Sequence, residues 1–171
     1  MAIHVRLLGS HHPEVADDYL SLGALEVSLG NNSNALRYYE EAIEVMMDFY
    51  RGAHPDIAQA YNRLASYHLN VTNEMQKALY YCEQSYAMTV SIYGMMNSKV
   101  VVALNNLAIV YSQLAQYDKA LQCYNDALDI IVPLYGEKHH HVGDNYANRS
   151  TLYRKMGNIE QARIYTEKAL P

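Results

Sequence analysis

The residues whose chemistry is most readily imagined are histidines. His139, His140 and His141 are consecutive, and His11-His12 form a pair. Imidazole nitrogens ligate zinc and its neighbours, but a zinc site also needs a second kind of group and a supporting shell. The two cysteines, Cys82 and Cys123, do not provide partners at ligand spacing. They fall inside predicted helices and read as small buried hydrophobes in a reducing compartment. Glu40, Glu41, Glu44 and Asp48 recur at helical spacing, the pattern of a solvated helix face. The Met46-Met47 and Met95-Met96 pairs read as gap fillers. No Gly-rich phosphate loop, nucleophile elbow or supported Cys–His pair occurs. The expectation is a chain that is not an enzyme, with no metal and no cofactor.

The elements that must position these residues repeat. Gly52, Gly94 and Gly136 stand 42 residues apart, each after a Tyr-ended apolar run. Ala35, Ala78, Ala120 and Ala162 follow at steps of 43, 42 and 42. A fixed period of this size marks one supersecondary unit stacked on itself. Each period reads as two helices. Helix A carries apolar residues at helical spacing, for example Ile57, Tyr61, Leu64 and Leu69. Helix B starts near the marker Ala and runs to Tyr50, Tyr93 or Tyr135. The following Gly is expected to adopt the left-handed C′ conformation. Pro13 and Pro55 suit the first turn of helix A. Pro133, inside the end of a helix B, is expected to kink it or stop it early. The A-to-B turns are short and polar: Gly30-Asn31-Asn32, Ala115 to Asp118, and Gly157-Asn158. The second, Leu69 to Glu74, holds one extra residue, which predicts a longer turn or a bulge.

These readings give an all-α fold of antiparallel helix pairs stacked as a right-handed superhelical solenoid. The chain is a single repeat domain over 1–171: the end of a preceding helix B at 1–10, then repeats at 11–53, 54–96, 97–138 and a truncated one at 139–171. Neither terminus shows the polar cap that such an array needs, so a fragment of a longer array is expected. The chain is half hydrophobic and only 18% charged, with 17 Tyr, which suits large faces hidden between repeats. A net charge of −5 argues against a nucleic-acid groove, where a basic face is needed. No apolar run approaches 18 residues and no signal pattern opens the chain, so no membrane span and a cytoplasmic location are expected.

The offsets between the apolar residues resemble the tetratricopeptide pattern. The first repeat has Tyr19, Leu22-Gly23, Ala35, Tyr39 and Ala42; the third has Leu104, Leu107-Ala108, Tyr111, Ala120, Tyr124 and Ala127. The ordinary repeat is 34 residues long. A period of 42, with the joint Ala53-His54-Pro55-Asp56 and the run Asn105-Asn106-Leu107-Ala108, is similar to the kinesin light chain type. The resemblance covers 11–171. It implies that the joint histidines pack or cap rather than bind metal, and that helix A faces line a concave groove for a partner's peptide. Departures are Asn97-Ser98 and His140-His141 at the third and fourth joints, and Arg149 where the pattern has Leu. Tyr146 to Ser150 also resembles part of a carboxylate clamp, but the Lys that clamp needs is matched by Asn105.

On this resemblance the exposed stripe of helix A falls one residue past the packing aromatic. It gives Asn62, Arg63, Ser66 and Asn70 in the second repeat, Asn105, Asn106, Ile109 and Gln113 in the third, and Ala147, Asn148, Thr151 and Lys155 in the fourth; the first offers Leu20, Ser21, Ala24 and Ser28. An Asn amide both donates to and accepts from a peptide backbone. Two functions are weighed. One is a non-catalytic adaptor or scaffold that binds a linear segment of a protein or peptide partner. The other is a structural or self-associating segment, with homo-oligomers formed through uncapped ends, or a sensor region of a larger multidomain protein.

Overall fold

The computed structural model describes the backbone of residues 2–170 and the side chains of 4–170. Met1 lies outside the described residues, as does Pro171, which the sequence places at the tail of a last helix. Every regular element among them is helical: α1 (Ala2–Leu8), α2 (Pro13–Ser28), α3 (Asn32–Tyr50), α4 (Pro55–Tyr67), α5 (Met75–Tyr93), α6 (Ser98–Gln113), α7 (Tyr117–Tyr135), α8 (His140–Lys155) and α9 (Ile159–Lys168). A π-helical turn, His68–Thr72, follows α4. Two compact units result: Met1–Ile92 and Tyr93–Pro171.

In the first unit, α2 packs on α3 and α3 on α4, and the Ser85 hydroxyl of α5 donates to the Ala58 carbonyl of α4 at 2.9 Å. Ala16, Leu20, Tyr39, Ile43, Met46, Ile57 and Leu64 make one buried apolar cluster. Fully burying side chains such as Met46, Ile57 and Leu64 stabilises by roughly 1.5–3 kcal/mol each. Gly23 lets α2 approach α3: a Cβ there would stand 2.6 Å from Tyr39 Cε1. Tyr67 crosses to α3, its hydroxyl donating to the Asn32 carbonyl at 2.8 Å. Leu20 corrects an expectation. It sits at the repeat position of Asn62 and Asn105, but its side chain is apolar and turns into this cluster instead of lining an exposed stripe. In the second unit, α6 pairs with α7 and α8 with α9. Val100, Leu104, Leu107, Ala127, Ile130 and Ile131 are buried. Around α8 the interior turns polar, with Asn145, Arg149 and Ser150 all buried.

Helix boundaries follow backbone chemistry. His12, His54 and His139 are extended N-cap residues, and each Nδ1 accepts the backbone N–H two residues on, from Glu14, Asp56 and His141. Asn97 does the same for Lys99 with its side-chain oxygen, at 2.9 Å. Such caps satisfy one of the N–H groups left over at a helix start. The A-to-B turns of the first, third and fourth pairs share one geometry: Asn31, Gln116 and Asn158 donate to Glu26, Tyr111 and Tyr153, each at 2.9 Å. This six-residue closure is a Schellman motif. Its left-handed residue is Gly30, Ala115 or Gly157. The extra residue of the second turn is absorbed by the π turn, closed by Glu74 N–H on the His68 carbonyl at 2.9 Å, with Asn73 left-handed.

Two helix-B ends differ from expectation. The left-handed C-cap of α3 is Arg51, with φ 51°, and not Gly52. Gly136 has a positive φ of 85°, but its ψ of 163° is extended, so it leaves α7 without the left-handed turn. Pro133 neither ends nor interrupts α7, which continues to Tyr135. It stands in the last turn, so the helix forgoes one backbone bond just before stopping.

Candidate functional site

The ligand-capable atoms of His139, His140 and His141 lie within 4.8 Å of one another. His139 is already engaged: its Nδ1 accepts the His141 N–H at 3.3 Å, and its ring stacks on Tyr135 with centroids 4.5 Å apart. His54 repeats this arrangement, lying on Tyr50 at 3.4 Å and 9°. Tyr50 also donates to Asp56 Oδ2 at 2.7 Å. Burial and that bond push its hydroxyl up to about 12. Capping and ring stacking thus engage His54 in the first unit and His139 in the second. The cysteines are both free and buried. Burial pushes Cys82 up to about 12 and Cys123 to about 11, so neither holds a thiolate at neutral pH.

In the first unit, Arg63 and Ser66 are exposed and Asn62 is half-buried on α4. The Ser66 hydroxyl accepts from Asn70 Nδ2 at 3.1 Å. Arg63 stands near Asp17 of α2. Partial desolvation and the Asp56 charge raise the Asp17 carboxyl, and Arg63 offsets part of that rise. Asp17 was missed at the sequence level because its position precedes the packing aromatic of its repeat. Its one signal was a carboxylate at the start of helix A.

In the second unit, Asn105 and Asn106 are half-buried on α6 and Ile109 is 40% exposed. On α8, Asn148 is half-buried while Thr151 and Lys155 are exposed. The repeat register aligns Asn106 with Asn148, Ile109 with Thr151, and Gln113 with Lys155. The Lys155 ammonium donates to the Ser112 carbonyl at 3.1 Å and to Gln113 Oε1 at 2.6 Å. A cation on the last carbonyls of α6 complements that helix end, so Lys155 ties α8 to α6. Ser112 thus belongs beside the expected residues, of which Gln113 is one. Thr151 bonds back to Ala147 and accepts from Arg154 at 3.1 Å. Asn105 Oδ1 is enclosed, and no donor of the described residues reaches it. A buried acceptor without a donor costs about 1–3 kcal/mol. Behind the stripe, Asn145 Oδ1 likewise lacks a donor and Arg149 Nε lacks an acceptor among the described residues. Arg149 Nη1 donates to Asn125 at 2.7 Å, and its guanidinium lies 4.7 Å from the Tyr165 ring centre. No described helix is long and apolar enough to cross a membrane.

Comparison with known proteins adds the following. The family model described as Tetratricopeptide repeat matches residues 19–89 and 99–171. The chain is 25% identical over 169 residues to Protein KINESIN LIGHT CHAIN-RELATED 3 of Arabidopsis thaliana, a match over 98% of this chain and 25% of that protein. It is also 25% identical over 134 residues to the Clustered mitochondria protein homolog of Homo sapiens, over 78% of this chain and 10% of that protein. The chain therefore spans about a quarter or less of the length of these relatives. Among solved structures, BtubC (BKLC) from P. vanneervenii superposes with a TM-score of 0.78 at 26% identity, over 97% of this chain and 66% of that one. A putative kinesin light chain of Podosopora anserina, with nearly identical TPR-like repeats, gives 0.83 at 18% identity, over 98% and 79%; it shows the fold alone.

Proposed function

The chain belongs to the tetratricopeptide repeat family, in its kinesin light chain-like form, and from that premise we propose that it is a non-catalytic module that holds a linear segment of a partner protein in a concave groove of helix A faces. The family and these relatives suggest a protein-interaction scaffold; peptide capture is our finer reading. The observation that carries it is the row of partly open polar side chains on α6 and α8, led by Asn106 and Asn148. An extended peptide offers a backbone N–H at every residue but proline and a C=O at every residue, the partners a side-chain amide can take. Asn106 and Asn148 sit at one repeat position, half-buried, with amides able to pair with a peptide backbone whatever its sequence. Lys155, whose ammonium donates to two neutral acceptors, is the one charged side chain among the expected residues of the second unit. Weakly charged segments are therefore the expected guests. Ordering a flexible peptide offsets much of the contact energy, so micromolar binding, about −8 kcal/mol, is expected.

Peptides selected from a displayed random library against the protein test this reading. Their affinity for N105A/N106A, measured by fluorescence anisotropy, should fall about tenfold, the equivalent of about 1.4 kcal/mol. Undiminished affinity with unchanged helicity rejects the groove. A second reading, self-association, is favoured by exposed apolar residues on α1, on α2 and at the α2 C-cap, where Leu7, Leu25 and Leu29 are 73%, 53% and 63% exposed. Light scattering that reports a strict monomer over a concentration series rejects it.

A further inference from the structure

A second recessed surface lies in the first unit. It is a pocket of about 450 Å³ walled by α3, α4 and α5, within the size range of small-ligand sites. Its α4 contributors, Tyr61 and Leu64, lie on the helix face opposite Asn62, Arg63 and Ser66, since each residue advances 100° around the axis. The site is therefore separate from the proposed groove.

Three tyrosines form its apolar wall. Tyr61 and Tyr81 stack with centroids 6.0 Å apart and planes 28° apart; Tyr80 meets Tyr81 edge-on at 5.1 Å. The Tyr61 hydroxyl points at the Met47 sulfur, 3.8 Å away. Tyr80 and Met47 are each about half exposed, at 54% and 51%, although both are the kind of side chain a repeat interface normally covers. The remaining wall is acidic. Glu40 and Glu44 stand one turn apart on α3 and line the same pocket, where two like charges repel. Neither makes an ion pair among the described residues. The neighbouring cation, Lys77, is held by Glu74 at 2.8 Å, and Arg37 is paired with Glu41.

Aromatic faces beside two unpaired carboxylates select a cation with a flat apolar face. Guanidinium meets both demands: it stacks on tyrosine and presents forked donors to carboxylates, whereas ammonium is a compact, strongly hydrated point charge. We infer that this pocket receives an arginine side chain presented by a partner protein, stacked on Tyr80 and paired with Glu40 and Glu44.

The test uses acetyl-Gly-Arg-Gly amide as probe, titrated into the full chain while the Met47 methyl and Tyr80 ring signals are followed by NMR. Saturable shifts are expected. In the E40Q/E44Q and Y80A variants the same titration should weaken about fivefold. These side chains lie on the surface wall, so the variants should keep wild-type helicity, checked by circular dichroism. The N105A/N106A protein should bind the probe normally, which keeps this site's outcome apart from that of the groove. A citrulline peptide, with the same shape and no charge, should leave both signals in place. Equal shifts from the citrulline probe, or undiminished binding by both variants, overturn the inference. So does a response to tetramethylammonium but not to the arginine peptide, which would assign the pocket to a free quaternary amine. Shifts of these signals on dilution without peptide overturn it too, by assigning the pocket to a second copy of the chain.

Discussion

His68 shows how one side chain ties a local irregularity to the core. It is only 1% exposed and lies parallel to the Tyr81 ring at 5.5 Å. Its Nδ1 sits 3.0 Å from Glu74 Oε2 and 3.1 Å from Thr72 Oγ1. A carboxylate only accepts, so Nδ1 carries the proton and Nε2 is bare in the neutral ring. Burial lowers the pKa below the 6.5 of a free imidazole, and the Glu74 bond opposes that shift without reversing it. The folded chain therefore binds fewer protons than the unfolded chain once the pH falls through 6.5. Stability from His68 is fully present above that value and declines below it, down to the folded pKa. The urea midpoint of the wild type should drop between pH 7 and pH 5, and H68F, which keeps a flat ring but cannot ionise, should flatten that drop. Equal slopes for the two proteins would show that His68 is not the group that titrates.

The π turn that seats His68 was foreseeable as an extra residue between Leu69 and Glu74; its helical form was not, because periodicity counts residues without fixing hydrogen bonds. The same limit explains the C-cap of α3. Glycine was the natural choice for a left-handed residue, but Arg51 takes it one position earlier, because the cap closes where Arg51 N–H reaches the Met47 carbonyl at 3.1 Å. Across the Schellman turns the first and fourth pairs place glycine at the left-handed position and the third places Ala115, with φ 57°. A Cβ in that region costs about 1 kcal/mol. Ala115 is exposed, so its methyl contributes little packing in return. A115G should therefore raise the stability of the second unit by about 0.5–1 kcal/mol, read as an upward shift in urea midpoint at unchanged slope. A lower midpoint would mean that the added chain entropy of glycine outweighs the relieved strain.

At the scale of the whole molecule, the helix pairs were legible because 42-residue spacing, capping residues and apolar periodicity all pointed to one answer. The helix A stripe, Gln113 included, was legible as a set of repeat positions, but Asp17 and Ser112 were not, since contacts between helices do not follow from spacing within one. Arg149 is the clearest departure from the pattern. The aligned positions hold Leu22, Leu64 and Leu107, and here a guanidinium is 8% exposed with Nε unpaired. Desolvating a charge costs several kcal/mol, and replacing a buried charge by a well-packed apolar side chain is often neutral or stabilising. Its bond to Asn125 and its place over Tyr165 recover part of that cost. In a repeat protein, stability is close to a sum of repeat and neighbour terms, so the effect of R149L should stay local. R149L should stabilise by about 1 kcal/mol, with slower amide hydrogen exchange in α8 and α9 and little change in α2 to α4. Asn125 is exposed and can turn to water, so no orphaned buried group is created on that side. Faster exchange in α8 and α9 would instead show that the contacts with Tyr165 and Asn125 outweigh the desolvation of the charge. Arginine would then be the fourth pair's own substitute for the leucine used in the other three.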